Sequence, residues 1–177
     1  LKAGARIVND VSGLNHDPGM ARVVAEEGGS LVLSHMRGTP ATMKELAVYR
    51  DVLREVGEEL GRSLDVARGE GVEEDRIVLD PGIGFAKTGA QSLTLLGSLP
   101  SLVALGRPVL IGPSRKSFIG AITGVPARER GPGTLAACIV AYLGGARIFR
   151  VHEVGPLVQA LKVTRAILDQ RAGERVG

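Results

Sequence analysis

Tryptophan is absent from these 177 residues, aromatic side chains make up only 3% of them, and there is a single cysteine. So few rings argue against a stacking platform for single-stranded nucleic acid. One thiol allows no internal disulfide. Cys138, set among Leu135, Ala136, Ala137, Ile139 and Val140, reads as a small buried hydrophobe and fits a reducing, cytoplasmic setting. No apolar run approaches the ~20 residues of a membrane span, and no signal-peptide pattern opens the chain. Neither sign of charge dominates, since 22 basic and 19 acidic side chains leave a net +3. With the basic residues scattered, attraction for anions must be local to a site rather than spread over a nucleic-acid-binding surface.

What is present is ordinary globular composition, 44% hydrophobic and 23% charged, in a length that suits one domain with a sizeable core. Leu1-Lys2-Ala3-Gly4-Ala5 reads as the end of a helix stopped at Gly4, and predicts a chain that starts inside a larger domain. Short β-rich runs fall at residues 6–9, 30–34, 76–80, 108–112 and 147–151. Helical patterns fall between them, at 18–27, 43–68, 91–99, 133–143 and 155–170, with a short helical turn and a Gly/Pro-rich loop between 116 and 133. The pattern over 43–68 is the clearest, with Leu46, Val52, Leu53, Val56, Leu60 and Leu64 in helical spacing. This alternation predicts a parallel sheet with helical crossovers. Five such units suit either a doubly wound sheet or part of an eight-stranded barrel.

In either fold, reactive groups gather at the C-terminal strand ends. Those ends carry Asn9 and Asp10, Ser34 and His35, Asp80, Ser114 to Lys116, and Arg150 with His152. Gly112-Pro113-Ser114-Arg115-Lys116-Ser117-Phe118-Ile119-Gly120 follows an apolar run, and its glycine, hydroxyls and two cations suit an anion. Asp80 closes Ile77-Val78-Leu79 and is suited to accept paired hydrogen bonds from a heterocycle, or else to cap a helix or pair with Arg76. Gly82 and Gly84 permit close backbone approach, with Phe85 as an apolar wall. Gly82 to Thr88 has the look of a nucleotide-binding loop but lacks the Gly that precedes its Lys, which excludes that class. Arg150 and His152 share one side of a strand. They suit a flat ring and its phosphates, or else an ion pair to Glu153 or Asp80 and a strand-end hydrogen bond. Asn9 reads as a heterocycle contact or as half of a turn-forming Asn-Asp pair. His35 reads as structural, Arg37 as a solvated loop charge, and His16 has no supporting context. The three histidines are not spaced as a metal site.

Taken together, Ile7-Val8-Asn9-Asp10-Val11-Ser12-Gly13, His35-Met36-Arg37-Gly38-Thr39-Pro40, Leu79-Asp80-Pro81-Gly82-Ile83-Gly84-Phe85, the Ser-Arg-Lys-Ser segment and Arg150-Val151-His152 resemble the dihydropteroate synthases of the pterin-binding family. The motifs keep the family's order across essentially the whole chain, and Ser-Arg-Lys-Ser-Phe-Ile-Gly is highly specific. The resemblance implies a (β/α)8 TIM barrel, here strands four to eight without the first three, over residues 1–177. It implies condensation of p-aminobenzoate with 6-hydroxymethyl-7,8-dihydropterin diphosphate, release of pyrophosphate, Mg²⁺, competitive inhibition by sulfonamides, and a homodimer. Carried over by position, Asp80, Lys116 and Arg150 are catalytic. Asn9, Asp80 and Lys116 hold the pterin edge, with Phe85 and Gly112 in the wall. Arg150 stacks on the pterin, Arg150 and His152 grip the diphosphate, and Ser114 and Lys116 border the p-aminobenzoate subsite. The metal ligand is expected in the family's first strands, so none is assigned in this chain.

The chain departs from the family at Ser34, where a pocket Met is usual, at Gln91-Ser92 for a His-Asn pair, and at Glu153 for an Asp. Five units alone predict open sheet edges, and hence poor solubility or inactivity. A methyltetrahydrofolate:corrinoid methyltransferase and a non-catalytic pterin-binding fragment are the competing readings. The Ser-Arg-Lys-Ser and Arg-Val-His cations favour a diphosphate leaving group.

Overall fold

A computed structural model describes residues 1–17 and 19–173. Five parallel strands alternate with helices: β1 (Ile7–Asp10), α1 (Met20–Glu26), β2 (Ser30–Ser34), α2 (Val52–Gly69), β3 (Ile77–Asp80), α3 (Gly89–Gly97), α4 (Leu99–Val103), β4 (Leu110–Ile111), α5 (Ser117–Thr123), α6 (Gly131–Leu143), β5 (Ile148–Phe149) and α7 (Val154–Gly173). β1, β2 and β3 pair in that order, β4 pairs with β5, and a parallel bridge from Leu79 to Val109 joins the two sets. Strand order follows chain order without reversal. A doubly wound sheet turns back at a switch point, so that alternative is set aside.

Period-two alternation sorts the strand residues onto two faces. Leu31, Leu33, Ile77, Leu79, Val109 and Ile111 belong to one apolar cluster with the helices, and Val8 and Phe149 pack against it. The intervening residues Asn9, Ser34, Asp80, Gly112 and Arg150 must therefore face the other way, away from the helices. Ile7 and Ile148 lie on that side too and are 62% and 38% exposed. Cys138 is wholly buried, and burial pushes its thiol pKa up to about 11.

Expectation and structure differ at several places. The helix expected from residue 43 begins at Val52. Asp51 caps it, its side chain accepting from the Arg54 N–H at 3.0 Å, while Glu55 reaches back to the N–H groups of Arg50 and Asp51. Those caps end the helical pattern before Leu46, which is 42% exposed. The segment at 91–99 is two helices, α3 starting earlier at a Thr88–Gln91 capping box and α4 following at Leu99. The first helix begins at Met20, and Pro18, where it was expected to start, lies outside the described residues. Residues 2–4 form a turn, with the Gly4 N–H bonded to Leu1 O and Gly4 at φ +99°.

α2 buries Val56, Leu60 and Leu64 along one stripe, while Arg54 and Glu58 pair in solvent on the other. Leu60→Ala would leave a cavity in the closed layer between α2 and the sheet, at a cost of about 3 kcal/mol. Val66→Ala, at a half-exposed position, should cost under about 0.5 kcal/mol. Urea unfolding of the two variants checks the contrast.

Candidate functional site

The loops after β3, β4 and β5 bring most of the expected residues to one rim. Asp80, at the end of β3, is 8% exposed. Its Oδ1 accepts the Gly82 N–H at 2.7 Å and its Oδ2 the Ser34 hydroxyl at 3.1 Å. Burial raises its pKa, opposed by those two donors and by the charges of Lys87 and Lys116. It neither caps a helix nor meets Arg76, which binds Glu73 and Gly28 O instead. Gly82, at φ +66°, cannot be replaced without collision, because a Cβ there would strike the His35 carbonyl oxygen.

Phe85 carries the Lys116 ammonium 3.9 Å from its ring centroid. Burial lowers the pKa of Lys116, as does Arg150, while Asp80 raises it. Lys116 therefore lies within the fields of both Asp80 and Arg150. Its loop is held in an unusual shape: Arg115 has φ +57°, its N–H donates to Thr134 Oγ1 at 3.1 Å, and its carbonyl accepts from Arg130. Arg115 also pairs with Glu153 at 3.4 Å, so the loops after β4 and β5 are tied together by a residue at one of the family departures. Glu153 is engaged there and Asp80 is held by Gly82 and Ser34, and among the described residues Arg150 forms neither of the ion pairs that were its bland alternative.

Gly112, Ser114, Lys116, Arg150 and His152, with Val151, line a pocket of about 300 Å³. Gly112 packs beside Arg150, where an added Cβ would lie 3.8 Å from the Arg150 carbonyl oxygen. Ser114 Oγ accepts the His152 N–H at 3.2 Å and lies 2.8 Å from His152 Nδ1. A hydroxyl that accepts the backbone N–H can give its own proton to Nδ1, which leaves Nε2–H pointing outward as a donor. Arg150 and His152 are exposed. Two cationic or donor side chains with Lys116 around an open cavity suit an anion.

Asn9 shares the face turned away from the helices through its register with Val32 and is exposed. The turn belongs to Asp10 instead, which accepts from Ser12 N–H, Ser12 Oγ and Leu14 N–H at 2.9, 2.8 and 2.5 Å. His16 lines a cavity of about 420 Å³ with Arg37, Asn15 and Glu59. At the departures after β3, Gln91 completes the α3 capping box and binds Ala47 O, and Ser92 Oγ donates to Thr88 O.

A buried polar chain beneath the rim escaped the sequence reading. Lys87 Nζ lies 2.8 Å from His35 Nδ1, 2.9 Å from Phe85 O and 3.3 Å from His35 O. An ammonium only donates, so Nδ1 accepts and His35 Nε2–H donates to Glu59 Oε2 at 2.8 Å. Glu59 pairs with Arg37, which also binds Glu55 and Val48 O and sits 4.0 Å over the Tyr49 ring. Arg37 is thus a partly buried strut, not a solvated loop charge. His35 is structural, as the sequence suggested. The one available signal for Lys87 was a lysine inside an otherwise glycine-rich and apolar loop. The Ser34–Asp80 and Lys87–His35 bonds span 46 and 52 residues, so local pattern could not show them. Among the described residues, no three His, Cys, Asp or Glu side chains are placed to hold a metal.

A parallel α/β layer thus carries a pocket lined by Lys116, Arg150 and His152 and a buried carboxylate, Asp80, at the C-terminal ends of its strands. The family profile described as "Pterin binding enzyme" matches residues 1–152, and the chain belongs to that family. It is 48% identical over 168 residues to the dihydropteroate synthase of a Synechocystis species, covering 94% of this chain and 58% of the relative. The dihydropteroate synthase of Thermus thermophilus, solved in complex with 6HMPPP and also with 4-aminobenzoate, superposes with a TM-score of 0.90 at 43% identity. That match covers 94% of this chain and, in the first complex, 66% of that one. The Yersinia pestis dihydropteroate synthase in a sulfonamide drug complex gives a TM-score of 0.91 at 32% identity, over 96% of this chain and 61% of that one. The chain spans about three fifths of the length of the bacterial dihydropteroate synthases it matches.

Burial, then the Lys87 charge, pulls the His35 pKa down to about 4, against the opposing pull of Glu59. The unfolded chain takes up this proton first, so His35 removes stability as pH falls from 6.5 towards 4, about 2 kcal/mol of it by pH 5. An NMR titration should show the His35 ring neutral at pH 5.5, with a midpoint near 4. A midpoint above 6 would contradict the buried chain.

Proposed function

We propose that this chain forms the pterin-diphosphate and p-aminobenzoate sites of a dihydropteroate synthase acting in folate biosynthesis. The observation that carries this reading is the position of Lys116, stacked on Phe85 and electrostatically linked to both Asp80 and Arg150. Asp80 would accept from the ring N–H and amino group of the pterin, while Asn9 and Lys116 complete its edge and Phe85 and Gly112 its wall. Arg150 would lie on the ring face and, with His152 Nε2, hold the diphosphate. Ser114 and Lys116 would border p-aminobenzoate, the subsite for which sulfonamides compete.

The reaction breaks the bond between the pterin methylene carbon and the diphosphate oxygen. The p-aminobenzoate nitrogen forms the new bond to that carbon and loses a proton, and pyrophosphate leaves with the electron pair. Positive charge grows on the pterin as negative charge grows on the leaving group. Asp80 faces the first, and Arg150, His152 and Lys116 face the second. No protein nucleophile is required. Mg²⁺ is part of the family resemblance, but this chain's described residues provide no carboxylate or histidine cage for it.

The unreversed strand order and the placement of the site at the C-terminal strand ends support a sector of a (β/α)8 barrel, corresponding to strands four to eight. A groove of about 380 Å³ between α3, α5 and α6, with Ile122 and Val140 largely exposed, supports a homodimer surface. The unpaired, buried Cys138 suits a reducing cytoplasm.

The test is pterin binding and pyrophosphate release by this chain, given the pterin diphosphate, p-aminobenzoate and Mg²⁺, beside Lys116→Ala. Binding is expected, weakened at least about tenfold in Lys116→Ala through loss of a charged contact. Release that needs both substrates and Lys116 would extend the proposal to full catalysis. A folded chain that binds no pterin would overturn it.

A further inference from the structure

Lys87 takes no part in the chemistry above, yet it is the most deeply placed cation of the rim, 9% exposed. Its three hydrogen-bond partners use up the three protons of an ammonium. Two of them, His35 O and His35 Nδ1, belong to the end of β2, and the third, Phe85 O, belongs to the loop after β3. One side chain therefore staples the two loops together from below. The stapled loop supplies both the Gly82 N–H that fixes Asp80 and the Phe85 ring beneath Lys116. Gly82 itself presses on the His35 carbonyl, where no Cβ would fit. On the far side, Ala86 sits at φ +47° and its carbonyl accepts the Tyr49 hydroxyl at 2.9 Å. The bend that turns Lys87 inward is thus held at both ends.

We propose that Lys87 is a positioning residue of the pterin site: it locks the Asp80–Phe85 loop onto β2 and supplies the buried positive charge that keeps Asp80 an acceptor. This rests on the pterin reading of the same rim. The charged and titratable groups facing Lys87 are Asp80 from β3, Glu59 from α2, His35 and Arg37 from the segment after β2, and Lys116 from the loop after β4. Burial opposes the charge on Lys87, pulling its pKa to about 7, whereas Asp80 and Glu59 favour it and Arg37 and Lys116 disfavour it. Glu59 acts through His35 as well as through space, since the His35 ring bridges the two. The influence is mutual, because Lys87 in turn opposes the rise that burial imposes on Asp80. Neutral Asp80 would offer a donor where the ring N–H needs an acceptor.

The experiment follows binding of 6-hydroxymethylpterin by its fluorescence, from pH 4 to 8, in the wild-type chain, Lys87→Met, Lys87→Gln and Lys87→Arg. Lys87→Met should weaken binding at pH 7 at least about tenfold. Acidification abolishes binding as Asp80 takes a proton. Without the neighbouring cation Asp80 takes it sooner, so the midpoint should move to higher pH. Lys87→Gln keeps hydrogen-bond donors without charge and should show the shifted midpoint even where Lys87→Met fails to fold. Lys87→Arg should return the midpoint towards wild type. A wild-type midpoint in folded Lys87→Gln or Lys87→Met overturns the proposal, since a merely structural role would change affinity or stability alone. The staple is also read without ligand. Imidazole ¹⁵N shifts should show His35 as the Nε2–H tautomer in the wild type, and an Nδ1–H tautomer would overturn it. A wild-type chain that keeps that tautomer but binds no pterin would refute the pterin reading and leave the staple standing.

Discussion

The alternation of side chains along each strand is the constraint on which the rest depends. Leu31, Leu33, Ile77, Leu79, Val109 and Ile111 must face the helices, because only there can they leave water. Once they do, Ser34, Asp80, Gly112 and Arg150 have no choice of face. Sliding one strand by a single residue would send Asp80 into the apolar layer and Leu79 into the open side. Core packing and site construction are therefore one problem, and the same apolar residues that stabilise the sheet aim the polar ones. The site's precision comes from neighbours that never touch a ligand.

That aim would be lost if the loops beyond the strands were free. They are held by polar links that range from buried, at Asp80 and Lys87, to exposed, at Glu153. Asp80 is fixed by a backbone N–H and a serine hydroxyl, and Arg115 is held by Thr134, Arg130 and Glu153. Lys87, His35, Glu59 and Arg37 form a continuous chain in which donor and acceptor roles agree at every joint. Buried polar groups are costly when unpaired and tolerable when fully paired. Three residues other than glycine adopt positive φ among the described residues, Leu14, Ala86 and Arg115, and each follows the C-terminal end of a strand. Such conformations cost on the order of 1–3 kcal/mol each, and here each lies in a loop pinned by several hydrogen bonds.

How much of this was legible in the sequence depended on the range of the interaction. Strand cores such as Leu31-Val32-Leu33 and Ile77-Val78-Leu79 announce themselves by composition, and the polar residues that close them mark the rim. Asp80, Phe85, Gly112, Ser114, Lys116, Arg150 and His152 lie there because each is at or within a few residues of such an end, and Asn9 lies at the end of β1. The start of α2 was misplaced because Leu46 continues a helical spacing by accident, while the Asp51 cap and the Glu55 back-bond that stop it were outvoted. Arg37 looked like a loop charge because its partners, Glu55 and Glu59, lie 18 and 22 residues away. Ser34 looked like the loss of a methionine. Only the pairing of β2 with β3 shows it as a hydroxyl directed at Asp80.

The rim divides its charges by depth, and the division matches what the proposed reaction asks of each. Asp80 is buried at 8% exposure, where weak screening would strengthen its hold on a ring that gains positive charge. Arg150 and His152 stand at the exposed mouth, where water weakens every contact they make. Deep cations would bind pyrophosphate tightly and hinder its departure, and an exposed carboxylate would give little discrimination between a pterin and water. Lys116, partly buried on Phe85, lies within the fields of both Asp80 and Arg150. In the proposed reaction, as charge separates along the breaking bond, the pterin end would face the stronger and more rigid partner, while the leaving group would face the partners that can release it. A site built with the depths reversed would contain the same residues and serve this chemistry poorly.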